Sequence, residues 1–174
     1  FIILFQSINN GKWDTSKKLL EELCNNYQRY QQDNVNQFIK YWCLYCQRLV
    51  KESDIEKILP IFINLLIVGE MNQYLKNLVK YIFDIYSLNS LLELVQGKDK
   101  ILLTLSYCEY KFSTKEFLEA ETIATENIKK TEQFIKNKHT EDFGWLIIRR
   151  TLKVFKNKGI ARQNLQNLVQ NLTN

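Results

Sequence analysis

Apolar residues recur along this chain at intervals of three and four, and that spacing predicts helices from end to end. The clearest stripe is Met71, Tyr74, Leu75, Leu78, Val79, Ile82, Phe83 and Tyr86, which predicts a helix over about 70–86. Phe38, Tyr41, Trp42, Tyr45 and Leu49 line another over about 34–51, with Asp33 as its cap. Before it, Leu19, Leu20, Leu23, Tyr27 and Tyr30 line a helix that starts at Asp14 or Thr15 and runs to about Gln32. The apolar opening Phe1–Asn9 stops at Asn10-Gly11, a helix C-terminal signal. Ile58 to Val68 predicts a buried helix, begun by Ser53 or Asp54 and ended by Gly69. Within it Pro60 either kinks the helix or restarts it.

In the second half, Asn89 or Ser90 opens a short helix that stops at Gly97, and Asp99 caps another through about Phe112. After a Ser113-Thr114 turn, a long helix over about 115–138 carries Phe117, Ala120, Ala124, Ile128, Thr131 and Ile135 on one face. Thr140 caps a helix to about Asn157, and a last amphipathic helix shows Leu165, Leu168, Val169 and Leu172. No stretch alternates with period two for long enough to predict a strand.

Paired in order, these helices give hairpins over 1–32, 34–68, 70–97, 100–138 and 140–172, within one helical-repeat segment covering 1–174. Their spacing, about 35 residues, is that of helical-hairpin repeats, which bury their faces on one another by stacking. The predicted class is all-α, with antiparallel hairpins stacked as an α-solenoid. A compact irregular helical bundle is the alternative.

Two places resemble the tetratricopeptide repeat. In Asn10-Gly11-Lys12-Trp13-Asp14-Thr15-Ser16-Lys17-Lys18-Leu19-Leu20, Gly11 matches the turn glycine, Trp13 the aromatic, Ser16 the small contact residue and Leu20 the large apolar one. In the second, Cys108 matches the small residue of a first helix, Phe117 the turn aromatic and Ala120 the small residue of the second helix, with Ala124 following. Ser113 or Thr114 stands there in place of the turn glycine. The resemblance covers two of the five hairpins; the stretch Asn34–Gly97 does not match the pattern. It implies a diverged solenoid that binds other proteins along its faces.

Composition adds little to this. The chain is 45% hydrophobic and 25% charged, as in soluble globular proteins, and one Pro with five Gly suits helices better than turn-rich β structure. A start at Phe1, with no basic leader or small-residue cleavage site, reads as part of a longer polypeptide and not as a signal peptide. The run Ile58–Val68 falls short of the roughly 20 residues of a membrane span. Abundant Asn, Gln, Lys and Ile point to an AT-rich, ciliate-like genome.

Candidate chemistry is thin. Cys43-Leu44-Tyr45-Cys46 has C-x-x-C spacing, but no second ligand pair completes a zinc site, and it lies mid-helix beside Trp42. It reads as core packing, and Cys24 and Cys108 as reduced thiols. His139, the only histidine, reads as a polar residue at a helix end. Asp142-Phe143-Gly144 spells a kinase tripeptide without the rest of the kinase set, and no phosphate loop or dinucleotide fingerprint is present. No catalytic, cofactor or metal site is predicted.

Charge is the one feature above background. No acid follows Asp142, yet Arg149, Arg150, Lys153, Lys156, Lys158 and Arg162 do. The first four are expected on one side of their helix, opposite Ile148, Leu152 and Phe155, giving a basic outer face for an acidic partner. Candidate partners are other subunits of a larger complex, an acidic protein surface such as the tails of cytoskeletal polymers, or a nucleic acid backbone. The expected role is a non-catalytic scaffold in the cytoplasm, with the cytoskeleton or ciliary axoneme as its home. The alternatives are a nucleic-acid-binding helical repeat, or an enzyme whose active site lies elsewhere in a longer chain.

Overall fold

The computed structural model describes residues 3, 6, 7, 10–26, 32–51, 54–69 and 72–174, apart from the side chains of 13, 23–25, 32, 48 and 51. Expectations placed on Phe1, Ile2, Leu4, Phe5, Leu23, Cys24, Tyr27, Tyr30, Ser53 and Met71 lie outside that set. Among the described residues all regular structure is helical and none is strand. In order these are α1 (Trp13–Asn26), α2 (Gln32–Lys51), α3 (Ile55–Val68), α4 (Gln73–Ile85), α5 (Leu88–Leu92), α6 (Lys98–Ser113), α7 (Phe117–Ile135), α8 (Glu141–Val154) and α9 (Gly159–Thr173). The protein is all-α, as the apolar spacing predicts. Two compact units divide it, Phe1–Ile85 and Tyr86–Asn174, and the boundary falls inside the 70–97 stretch expected to form one hairpin.

In the first unit α2 packs on α3 and α4, and α1 on α3. The apolar run became α3, buried on nearly every side, which is what an all-round hydrophobic helix requires. Asp54 caps it by accepting the Lys57 N–H, and Gly69 closes it by donating to the Leu65 carbonyl. The helix runs unbroken through Pro60, which is exposed. Asn72 starts α4: its Oδ1 accepts the N–H groups of Tyr74 and Leu75, and its amide reaches Asn36 on α2 at 3.3 Å. The predicted stripe Leu75, Leu78, Val79, Ile82 and Phe83 is buried, while Tyr74 is exposed. Asp33 lies inside α2, one residue past Gln32, and does not cap it.

In the second unit the caps differ from expectation as well. Ser87 opens α5, its Oγ accepting the Ser90 N–H, and α5 ends at Leu92, well before Gly97. Gly97 precedes α6 and leaves Asp99 in the first turn. Past these ends, α6 packs on α7 and α8, α7 on α8 and α9, and α8 on α9. Helices α6 and α7 are antiparallel. Near their turn the Cys108 thiol donates to the Ala120 carbonyl at 3.3 Å, and far from it the Asn127 amide donates to the Ile101 carbonyl at 3.0 Å. Cys108, Ala120, Ala124, Ile128, Phe155 and Leu165 form the core, with Leu168, Val169 and Leu172 packed against it. Gly144 sets the approach of α8 to α7: a Cβ there would stand 2.8 Å from Ile135 Cγ1 and 3.0 Å from Ile135 N.

Two turns share one geometry. Gly11 has φ 67°, and the next N–H, of Lys12, reaches the Ser7 carbonyl five residues back. Lys115 has φ 65°, and the Glu116 N–H likewise reaches the Lys111 carbonyl. A helix begins two residues beyond each left-handed residue, at Trp13 and at Phe117, and three residues later comes a small residue with no exposure, Ser16 or Ala120. Lys115, and not Ser113 or Thr114, therefore holds the place of the turn glycine. A left-handed L-residue costs about 1–2 kcal/mol, partly offset by the chain entropy a glycine loses. Lys115→Gly should accordingly raise stability, by about 0.5–1 kcal/mol in urea denaturation. A loss would show that Lys115 is held in place by its side chain.

Candidate functional site

The basic residues singled out near the C-terminus sit on or beside α8 and α9. Arg149, Lys153, Lys156 and Lys158 are exposed and Arg162 is half-buried. Arg150 corrects the expectation. At 6% exposure it is buried, on the arc of α8 that also hides Gly144, Ile147 and Thr151. Neighbouring helical residues point about 100° apart. Helix α8 is flanked by α6, α7 and α9, so its buried arc is too wide for Arg149 and Arg150 both to face outward. Lys156 lies just past the end of α8, and Lys158 precedes α9 with its ammonium 3.8 Å from the centre of the Phe117 ring.

Trp145, which the charge pattern alone does not reveal, stands on the same outer arc, one turn before Arg149, and is 40% exposed. A reading that tracked aromatics as well as charge along this helix would have found it, because 145, 149 and 153 share helical spacing.

A second polar cluster lies at the α6–α7 turn. Lys111 bridges Glu116 at 3.2 Å and Glu119 at 3.5 Å, and lies over the rings of Tyr107 and Tyr110. Desolvation opposes its charge, yet the Glu116 hydrogen bond, Tyr107 and Glu119 hold the ammonium above the usual lysine range. Hydrogen bonds from Thr114 and then Lys111 hold the Glu116 carboxyl below its ordinary value. This cluster ties the turn together, and every partner in it is accounted for by its neighbours.

Cys43, Cys46 and Cys108 are buried free thiols. Burial pushes Cys46 and Cys108 up to about 12, and burial followed by the neighbouring Cys46 raises Cys43 as well. The thiolate is the reactive form. At pH 8 iodoacetamide should therefore leave all three unmodified in the folded protein and label them after unfolding, as read by peptide mass spectrometry; rapid native labelling of Cys43 or Cys46 would contradict their place in the core. His139 is exposed, and its backbone N–H donates to Asn137 Oδ1. Asp142 and Phe143 lie in the first turn of α8, and Gly144 serves helix packing. Among the described residues no three His, Cys, Asp or Glu side chains gather as they would around a metal ion, and no helix is long and apolar enough to cross a membrane.

Fold and surface together define the class: an all-α chain of sequentially packed helices with a basic, Trp-bearing outer stripe on α8. Compared with protein-family models, with curated proteins and with solved structures, the chain finds no match in any of the three.

Proposed function

We propose that this chain is a non-catalytic scaffold segment, built of stacked helical hairpins distantly like tetratricopeptide repeats, that binds other proteins within a larger assembly. The observation that carries the reading is the order of packing in the second unit, where each helix from α6 onward lies against the next and the next but one. That is how hairpins add along a stack, and it leaves one face of each helix for partners. The matching turns at Gly11 and Lys115 support the repeat reading. Exposed Tyr41, Leu44, Trp145, Leu118 and Ile160 supply apolar contact for a protein surface. A cytoplasmic, cytoskeletal or axonemal home fits the ciliate-like composition.

The absence of any acid after Asp142 favours one second reading, a helical repeat that binds nucleic acid through its basic end. Salt separates the two. A protein partner recovered from the source cells, purified and titrated back, should bind with only moderate loss between low and physiological salt. A nucleic acid neutralised at several phosphates would lose affinity steeply, by orders of magnitude. Recovery of nucleic acid alone, with that steep slope, would overturn the scaffold reading.

A further inference from the structure

The outer arc of α8 combines an exposed indole with cations in a single row. Counting about 100° per residue from Trp145, Arg149 falls near 40° and Lys153 near 80°, while the buried residues Gly144, Ile147, Ile148, Arg150 and Thr151 occupy about 140° to 300°. Lys156 extends the row just past the helix end, and Lys158 follows it. Asp142 is the one acid on this arc, at its N-terminal edge. Of the 24 basic residues six stand after Asp142, whereas all 19 acids stand at or before it. An excess of cations around an exposed Trp is complementary to an acidic segment that also carries apolar side chains.

We infer that this stripe docks an acidic peptide segment of a partner protein. An apolar side chain of the segment sits on the Trp145 indole, and its carboxylates pair with Arg149, Lys153 and Lys156. The stripe runs about 16 Å at 1.5 Å per residue, the length of five or so extended residues. The Arg149 guanidinium offers the forked donor pair that a carboxylate matches. A nucleic acid strand fits less well, because stacking of successive bases needs a series of aromatic platforms and this arc offers one. The inference rests on the protein-binding reading above and names its partner's chemistry.

Fluorescence anisotropy on the full 174-residue chain tests it, with a fluorescein-labelled peptide of repeated Glu-Glu-Leu units as the probe. Its Lys-Lys-Leu counterpart and a poly-dT oligonucleotide are the controls. The acidic peptide should bind and the basic one should not. Arg149→Glu with Lys153→Glu should weaken binding tenfold or more, and Trp145→Ala about fivefold. Lys17→Glu with Lys18→Glu, exposed on α1, should leave it unchanged. Circular dichroism checks that each variant is folded. Should the reversed pair unfold, Arg149→Gln with Lys153→Gln asks the same question, with about threefold loss expected. No binding of the acidic peptide, binding indifferent to these changes, or tighter binding of poly-dT would each overturn the inference. If the peptide fails while a protein partner still binds in the salt titration, the stripe alone falls; if both fail, the scaffold reading falls with it.

Discussion

Truncating Phe155 to Ala should destabilise the Tyr86–Asn174 unit by about 3–5 kcal/mol, read as a lowered urea midpoint in circular dichroism. Phe155 is the largest fully buried side chain described in that unit. It follows the last residue of α8, and its ring meets Phe112 of α6 edge-on at 5.2 Å. The same core holds Ala120, Ala124 and Ile128 from α7 and Leu165 from α9. One ring thus fills the space where four helices converge, and its removal leaves a cavity that fixed backbones can collapse into only partly. The edge-on pair with Phe112 adds about 0.5–1.5 kcal/mol beyond the buried area. Phe155→Leu, which retains most of the volume, should lose much less. A loss under about 1 kcal/mol for Phe155→Ala would mean that α8 does not end in this core.

In the first unit the corresponding change is Trp42→Ala, also expected to cost about 3–5 kcal/mol. Trp42 is 1% exposed, with Phe38 at 6.3 Å and Tyr45 at 5.7 Å, both edge-on. It lies on the face of α2 that also buries Ile39, Cys43 and Cys46. Amide hydrogen exchange should show the loss as faster exchange across α2, α3 and α4, the helices that pack together there. Unchanged protection in α3 and α4 would contradict their packing on the Trp42 face.

Helices were legible because burial on one side imposes its period on the sequence. The run of Leu75, Leu78, Val79, Ile82 and Phe83 reads the same in the chain and in the core. Helix starts were less legible. Several residues near each start can cap equally well on paper, and the choice between Ser87 and Asn89, or Gly97 and Asp99, depends on how the preceding chain arrives. The left-handed turn at Lys115 carried no glycine to announce it. Asn127 was missed although it sits three residues after Ala124 and four before Thr131, on the buried stripe. A polar residue at that register was the available sign of its hydrogen bond to Ile101 across the helix pair. On the surface, charge counting found Arg149, Lys153, Lys156 and Lys158. It misplaced Arg150, because the count says nothing of how many neighbours flank α8.

Placing the photo-crosslinking residue benzoylphenylalanine at Trp145, in the chain expressed in the cells it comes from, tests the central claim most directly, since the claim is that this molecule acts by holding another protein against its surface. Irradiation should yield one discrete protein adduct whose crosslinked peptide is acidic, and the same residue placed at Lys17 on α1 should not yield it. Adducts with nucleic acid at position 145, or none there while other surface positions crosslink, would contradict the account.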